Sequence, residues 1–239
     1  MKHTFAIYYA DADKLTAQFK LTDKDLVRRL STILRLQHDE IITLFNRTHH
    51  TLATITAIDK KFITMRVGTL EKNGMIVPMI TMLLPLLKRE AFDEAVYNLV
   101  QAGVSVIQPV ITDNVHRAWG GQKEMDRLER LVIAAAEQSK NFAFPLIQPP
   151  IPLSQAIEQA QGTSLYADPQ GDHFLAVVDT IKAAKPDHIN LLIGPEADLS
   201  LQEKERIASK GYLFFRLTPT ILRAREAAFL SAALIRSCL

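Results

Sequence analysis

The sequence has almost no cysteine. Its single thiol, Cys238, has no partner in the chain, which excludes an internal disulfide framework and favours a reducing compartment. No apolar run approaches the roughly 18 residues of a membrane span, and the first residues lack the apolar core of a signal peptide. We therefore expect a cytoplasmic protein that is neither secreted nor integral to a membrane.

Several common site motifs are also missing. No strand is followed by a glycine-rich dinucleotide turn or a Gly-Lys-Ser/Thr loop, and no Gly-x-Ser-x-Gly elbow or nucleophilic cysteine is present. The histidines are scattered, and His49 and His50 are merely adjacent, without the spacing that places two ligands on one helical face. We expect no metal site.

The chain is nonetheless large and apolar enough to fold on its own. With 239 residues, 48% of them hydrophobic, it can form one large domain or two smaller ones. Residues 1–72 carry 12 Lys+Arg against 8 Asp+Glu, or +4, which leaves 16 against 18, or −2, for the remainder. A local excess of positive charge is a weak indication of a phosphate backbone as partner, and a solvated surface is the alternative.

The hydrophobic period changes at a polar stretch, residues 68–74. Before it, a short helix, DLVRRLSTILRL, is followed by the Thr/Ile/Val-rich runs EIITLFN, TLATITAI and KFITMRV, which predict a small β-rich module. After it, strands alternate with helices, as in an α/β domain with a mainly parallel sheet. We interpret 68–74 as a linker between the two.

Nearly continuous apolar runs in the second segment predict buried strands. They include 75–83, FLAVVD at 174–179 and NLLIG at 190–194. Ser200 and Glu203 have the spacing of a capping box, so a helix is predicted to begin there.

Two strand-to-loop corners stand out near the C-terminus: LLIGPEADLS and FFRLTPTILRAREAA. Loops that leave the carboxyl ends of parallel strands are where α/β proteins bind ligands. Gly194 would allow a ligand to approach the backbone, while Pro195 and Pro219 would stiffen the two turns. Turn chemistry alone also fits two ordinary strand-helix connections.

The order LLIGPEADLSLQEKERI…GYLFFRLTPTILRAREAA resembles the C-terminal region of the RsmE-type 16S rRNA (uracil-N3)-methyltransferases of the SPOUT class. The most specific parts are IGPE and ILR at their spacing, together with AAEQS in RLVIAAAEQSKNFAFPLIQPP. RRLSTILRLQHDEIITLFN and NLVQAGVSVIQPVITDN also resemble that family, in the right order. The resemblance spans nearly the whole chain.

The resemblance implies a fold and a reaction. It implies an N-terminal PUA-like β-barrel that binds RNA, over residues 1–70, and a C-terminal SPOUT α/β methyltransferase domain with a trefoil knot, over 75–239. It also implies S-adenosylmethionine as the cofactor, a homodimer with the substrate site at the subunit interface, and methylation of uridine N3. The expected partner is 16S ribosomal RNA or the small ribosomal subunit.

The resemblance also assigns residues. Both corners and the end of the 174–179 segment hold the cofactor, through Val178, Leu192, Gly194, Pro195, Glu196, Leu217, Thr218, Ile221 and Leu222. Arg223 is the catalytic candidate, which stabilises the anionic base or grips RNA phosphate, and a mere surface cation is the alternative. Glu196 either accepts a hydrogen bond from the cofactor or locks the loop. The candidates for contacts with ribosomal RNA phosphates are Arg28, Arg29, Arg35 and Arg47.

Several positions depart from the family pattern. Ala197-Asp198 stands where Gly-Gly is usual, Thr218 and Thr220 replace Gly and Arg, and Arg225 replaces Glu. Two alternatives therefore stay open. One is a non-catalytic RNA-binding relative, and the other is an α/β enzyme that acts on a small metabolite, although no motif indicates such an enzyme.

Overall fold

The computed structural model describes residues 4–115 and 117–239, and the chain divides into two compact units. Unit 1 comprises the chain up to Gly74 together with Ala136–Ala143, and unit 2 comprises Met75–Ala135 with Phe144–Leu239. Each unit has its own sheet.

Unit 1 is a mainly antiparallel β structure. Its strands are β1 (Ala6–Tyr8), β2 (Gln18–Leu21), β3 (Ile41–Phe45), β4 (His49–Ile58), β5 (Ile63–Val67) and β6 (Glu71–Lys72), and its helix is α1 (Lys24–Arg28), extended by a π-helical turn over 29–33. The strand order is β1-β3-β4-β5-β2, with β1 parallel to β3 and β6 antiparallel to β4. The three Thr/Ile/Val-rich runs are β3, β4 and β5, and their inward side chains build a core with those of α1 and the π-helical turn.

Two segments differ from the predicted organisation. The stretch predicted as a linker contains β6, which pairs with His49 and His50 on β4. Residues 136–143 group with unit 1 rather than with the domain predicted over 75–239. The physical reason is a set of contacts that hydrophobic periodicity does not reveal: Glu137 accepts a hydrogen bond from the Tyr8 amide at 2.8 Å, and the Phe142 ring lies 4.9 Å from that of Phe45.

Unit 2 alternates strands with helices. The strands are β7 (Met79–Pro85), β8 (Val106–Ile111), β9 (Leu146–Ile147), β10 (Ile151–Pro152), β11 (Thr163–His173), β12 (His188–Ile193) and β13 (Leu213–Arg216). The helices are α2 (Arg89–Gln101), α3 (Gln122–Ser139), α4 (Leu153–Gln159), α5 (Phe174–Ala184), α6 (Leu201–Ser209) and α7 (Ala224–Cys238). The order is β10-β8-β7-β12-β11-β13, with β9 beside β8 and every pair parallel. The predicted α/β domain with a parallel sheet is confirmed.

Local signals placed most of these elements correctly. The predicted capping box begins α6: Ser200 Oγ accepts from the Glu203 amide at 3.2 Å, and Glu203 Oε2 accepts from the Ser200 amide at 2.9 Å. None of the helices in the described part of the chain combines the length and the apolar character that crossing a membrane requires.

The strand predicted at 174–179 is wrong, because this segment is the first half of helix α5. Phe174, Val177, Val178 and Ile181 have the spacing of one helical face and are buried together. A six-residue window is too short to separate this pattern from a buried strand. The strand at this place in the sheet is β11, whose interior Asp-Pro-Gln-Gly, residues 168–171, looks like a turn in the sequence.

A bulge in β11 explains those turn residues. Both Ala167 and Asp172 pair with Phe215 of β13, so the residues between them leave the ladder. A Cβ atom on Gly171 would lie 2.4 Å from the Phe215 nitrogen, so the chain returns to β13 only because Gly171 has no side chain.

We expect Gly171→Ala to lower the free energy of unfolding by about 1–3 kcal/mol, since the methyl group would displace the backbone of β13. Gly194→Ala is the matched control in the same unit, because its Cβ would make ordinary contacts, the nearest at 3.4 Å. Urea unfolding followed by circular dichroism measures both. Equal stability of the two variants would contradict the steric argument.

Candidate functional site

A cavity of about 640 Å³ opens where β11, β12 and β13 end. Neighbouring parallel strands end at the same edge of the sheet, so their loops meet there. The volume falls within the roughly 300–1,000 Å³ of small-molecule sites. The lining residues are Lys88, Ala91, Tyr166, Ala167, Asp168, Pro169, Gly194, Pro195, Glu196, Asp198, Phe215, Leu217, Thr218, Thr220, Ile221, Leu222, Arg223, Ala224, Arg225 and Ala227.

Both corners singled out in the sequence meet in this cavity. The structure brings together most of the predicted cofactor-binding residues and the catalytic candidate: Gly194, Pro195, Glu196, Leu217, Thr218, Ile221, Leu222 and Arg223. The two loops follow β12 and β13, which flank β11 on either side.

Two predicted cofactor-binding residues lie elsewhere. Leu192 is fully buried in β12 and packs in the core of unit 2, and Val178 is buried on the core face of α5. Val178 lies in the segment 174–179, which was predicted as a strand but forms part of helix α5. The third wall comes instead from the middle of β11, at its bulge, through Tyr166, Ala167, Asp168 and Pro169. The short run Leu165-Tyr166 before the Asp-Pro turn was the available signal for this strand.

The loop after β12 is a tight turn that depends on Asp198. The Asp198 amide donates to the Pro195 carbonyl at 3.0 Å, and Asp198 has a φ of +61°. Aspartate is one of the few side chains that tolerate this left-handed conformation, which otherwise favours glycine. Its Oδ1 accepts from the Leu199 amide at 2.8 Å, which holds the carboxylate against its own backbone.

Lys204 of α6 forms ion pairs with two carboxylates at the edge of the cavity. Its Nζ lies 2.8 Å from Asp198 Oδ2 and 3.2 Å from Asp168 Oδ2. The Asp168 side chain is only 7% exposed, so without Lys204 its charge would be costly to bury. Burial alone would lower the pKa of Lys204, but the hydrogen bonds to Asp198 and Asp168 outweigh it and raise the pKa. Lys204 therefore ties the loop after β12 to the bulge of β11.

Tyr166 completes this wall as a neutral phenol. Its hydroxyl donates to Asp198 Oδ1 at 3.4 Å. Burial is the main cause that raises the pKa of Tyr166 far above its ordinary value, followed by the charges of Asp198 and Asp168. Burial by itself would raise the pKa of Asp198 as well, yet the hydrogen bonds from Lys204 and the Leu199 amide hold that pKa below its usual range. Asp198 is thus ionised at neutral pH.

Gly194 leaves its stretch of backbone open to the cavity. An added Cβ would lie 3.4 Å from the Tyr166 hydroxyl and 3.5 Å from Asp198 Oδ1, which are ordinary contact distances. Its absence of a side chain is therefore not demanded by the packing of the protein itself. A ligand that lies against the backbone would explain the glycine.

Arg223 stands on the opposite wall, immediately before α7. Its side chain is exposed, caps no backbone group of the helix and has no carboxylate partner within 4.0 Å among the described residues. Arg225, by contrast, is paired with Glu94 and Glu226. Arg223 consequently presents to the cavity a positive charge that no carboxylate of the described residues engages in an ion pair, although its charge does help to lower the pKa of Glu226.

The four predicted RNA-binding arginines all belong to unit 1 and differ in their surroundings. Arg28 and Arg35 are exposed, and Arg47 is half-buried in the turn between β3 and β4. Arg29 is held by Glu137, whose oxygens accept from its two terminal nitrogens at 3.0 and 2.5 Å. The Arg29 guanidinium is therefore already engaged by a carboxylate that is 8% exposed.

Residues 76–236 match the family model of the RNA methyltransferase domain. The chain belongs to this RNA methyltransferase family. The matched range contains every residue that lines the cavity.

Relatives of this RNA methyltransferase domain support the resemblance noted in the sequence. The chain is 26% identical over 224 residues to the ribosomal RNA small subunit methyltransferase E of Rickettsia conorii, covering 92% of this chain and 90% of that protein. The protein of the same name from Buchnera aphidicola is 24% identical over 239 residues, with 97% and 92% covered.

Solved structures show the same fold. The ribosomal RNA small subunit methyltransferase E of Neisseria gonorrhoeae, bound to S-adenosyl methionine, superposes with a TM-score of 0.84 at 24% identity, covering 98% of each chain. The putative methyltransferase Lpg2936 of Legionella pneumophila, in complex with S-adenosylmethionine, gives 0.83 at 23% identity, again with 98% of each chain covered.

We expect Asp198→Asn to destabilise the protein at neutral pH by roughly 0.5–1 kcal/mol, the range of a partly exposed ion pair. Asparagine also tolerates the left-handed backbone, so the substitution tests the charge alone. Because the pKa of Asp198 is lowered on folding, its contribution is present above the ordinary value of 3.8 and is lost as the pH falls below it.

Thermal unfolding of the wild-type protein and of Asp198→Asn between pH 7 and pH 3 measures their difference in stability. Glu158→Gln, at the exposed pair of Glu158 with Lys210, is the matched control and is expected to change stability less. A difference for Asp198→Asn that does not shrink on acidification would refute the role of the Lys204 ion pair.

Proposed function

We propose that this chain transfers a methyl group from S-adenosylmethionine to N3 of a uridine in 16S ribosomal RNA. The observation that carries the proposal is the convergence of the two motif loops, IGPE and LTPTILR, on one cavity at the carboxyl ends of parallel strands. The names of the curated relatives, ribosomal RNA small subunit methyltransferase E, support the small ribosomal subunit as the source of the RNA.

The residues of the cavity fit S-adenosylmethionine. Leu217, Ile221 and Leu222 offer apolar surface for an adenine ring, and Gly194 leaves backbone groups accessible beside it. Glu196 supplies carboxylate oxygens that can accept hydrogen bonds from hydroxyl or amino groups. The structures of the Neisseria and Legionella proteins with this cofactor bound support the same assignment.

The cofactor supplies an electrophilic methyl group when it is bound. The chain itself must orient the uracil in line with that group, and positioning of this kind accounts for much of the acceleration in transfer reactions. Uracil N3 carries a proton, so negative charge develops on the base as the proton leaves. Arg223, which lines the cavity and forms no ion pair among the described residues, is placed to stabilise this charge.

Glu196 is our candidate to accept the proton or a hydrogen bond. Among the carboxylates that line the cavity, Asp168 and Asp198 are held by Lys204. Glu196 is exposed, and no cation of the described residues lies within ion-pair distance of it. Of the three, it is the one whose oxygens remain available to a substrate.

The departures from the family pattern do not favour a non-catalytic relative. The Asp198 carboxylate is directed to Lys204 and the Leu199 amide. Thr218 Oγ1 donates to the Thr220 carbonyl at 2.6 Å, which closes the second loop on itself, and Arg225 pairs with Glu94. Each substitution is accommodated within the protein, and the cavity between the loops stays open.

The remaining features belong to the same proposal. We assign residues 1–70 to a PUA-like barrel that binds RNA and residues 75–239 to a SPOUT domain with a trefoil knot. We further propose a cytoplasmic homodimer. The mainly antiparallel sheet of unit 1 and the parallel sheet of unit 2 support this division of roles.

We expect the folded protein to bind S-adenosylmethionine, and Gly194→Ala to weaken binding by about tenfold or more, which corresponds to 1.4 kcal/mol. The added methyl group would occupy the space that a ligand needs against the backbone. Isothermal titration on protein whose homodimeric mass has been verified by sedimentation measures this affinity. Gly74→Ala is the control, because nothing lies within 4 Å of its added Cβ. Absence of cofactor binding by the wild-type protein would refute the proposed function.

We expect Arg223→Ala to reduce methyl transfer by about 100-fold or more while leaving unfolding unchanged, as when an electrostatic stabiliser is removed from an active site. Radiolabelled transfer to small-subunit ribosomal RNA, followed by nucleoside analysis, gives both the rate and the position of the methyl group. Arg206→Ala, on the exposed face of α6, is the matched control. Unaltered transfer by Arg223→Ala would remove Arg223 from the mechanism, and a product other than 3-methyluridine would refute the assigned base.

A further inference from the structure

A second cation that forms no ion pair among the described residues lies on the same wall of the cavity as Arg223. Lys88 immediately precedes α2 and lines the cavity together with Ala91 from the first turn of that helix. Helices α2 and α7 pack against each other, and the ion pair of Glu94 with Arg225 joins the second turn of α2 to the first turn of α7. The starts of these two helices therefore form one continuous wall, which carries Lys88 and Arg223.

The two walls of the cavity differ in charge. On the wall built from the bulge of β11 and the loop after β12, Asp168 and Asp198 outnumber the single compensating Lys204. On the wall built from α2 and α7, Lys88 and Arg223 have no carboxylate within 4.0 Å among residues 4–115 and 117–239. An anionic group that enters the cavity is repelled by the first wall and attracted to the second.

Arg117 holds the backbone that precedes α2. Its guanidinium donates to the carbonyl of Leu87, the residue before Lys88, at 3.3 Å, and it is ion-paired with Glu124. Arg127 is paired with Asp93 and Glu124. These arginines are therefore engaged within the protein, and Lys88 and Arg223 are the cations lining the cavity that form no ion pair among the described residues.

We propose that Lys88, together with Arg223, binds the phosphodiester adjacent to the nucleotide that enters the cavity. The inference rests on the proposed function, since an RNA substrate brings such an anion to the site with every nucleotide. Lys88 is a positioning residue in this arrangement. A lysine ammonium suits the task because it acts as a point charge on a flexible stem and tolerates a range of phosphate positions. Sequence motifs gave no indication of this residue.

The test compares Lys88→Met, which removes the charge and keeps an unbranched side chain, with Lys88→Arg, which keeps the charge. Lys182→Met is the matched control, because Lys182 is exposed on α5 of the same unit and does not line the cavity. Fluorescence anisotropy with a short uridine-rich single-stranded RNA, repeated over a series of salt concentrations, gives the slope of log affinity against log salt. Isothermal titration with S-adenosylmethionine accompanies each variant.

We expect the magnitude of the salt slope to fall by about 0.7 for Lys88→Met, the contribution of one phosphate contact on a single strand. Lys88→Arg and Lys182→Met should keep the wild-type slope, and the affinity for S-adenosylmethionine should be the same in all the variants.

An unchanged slope for Lys88→Met, or an equal loss for Lys182→Met, would overturn the inference. So would RNA binding too weak to detect in wild-type protein that binds the cofactor. A loss of cofactor affinity in Lys88→Met would assign Lys88 to an anionic group of the cofactor instead and would likewise overturn it. Failure of wild-type protein to bind S-adenosylmethionine is a different result, which refutes the proposed function itself.

Discussion

Strand β11 forms backbone hydrogen bonds along both of its edges, with β12 on one side and β13 on the other, and all three strands run in the same direction. This pairing fixes where the chain must turn: each strand delivers its following loop to the same edge of the sheet. Everything that lines the cavity from the second half of unit 2 depends on it. The bulge at Asp168–Gly171 adds a local requirement, since β11 can rejoin β13 only at a residue without a side chain.

Electrostatic compensation then decides which groups are available to a ligand. The ammonium group of Lys204 forms ion pairs with the carboxylates of Asp168, which is almost fully buried, and Asp198. Because both carboxylates are engaged within the protein, their role in the cavity wall is structural. Arg225 is engaged in the same way by Glu94 and Glu226. The charged lining groups that form no ion pair among the described residues are Lys88, Glu196 and Arg223, and the proposed chemistry depends on these.

Local sequence signals are sufficient to predict an element when the residues that determine it are close together in the chain. The capping box of Ser200 and Glu203, the alternation of β3 to β5 and the two corners after β12 and β13 follow from residues close together in the chain. The family resemblance is confirmed by the match over 76–236. It was this resemblance that implied that the two corners bind one cofactor together. What could not be predicted depends on partners distant in sequence. Arg29 looks like a surface cation until Glu137, 108 positions away, is found to hold it.

Residues 174–179 show a second limit of prediction from the sequence. An apolar run of six residues fits a buried strand and a buried helical face equally well, and nothing within the run indicates that β11 fills that place in the sheet. Val178 was misplaced for this reason. Lys88 was missed for another: nothing in a lysine before a helix indicates that the start of α7, more than 100 residues later, lies beside it.

The left-handed backbone at Asp198 has a consequence for how this loop can vary. Glycine, asparagine and aspartate adopt such a φ with the least strain, so exchange at this position favours a small set of side chains. Within that set only aspartate offers Lys204 a charge. A related chain with glycine at the corresponding position would leave the lysine with the carboxylate of the β11 bulge alone. Positions 198 and 204 are therefore expected to vary together. Related chains that have both aspartate and lysine at these positions are expected to share this conformation of the loop after β12.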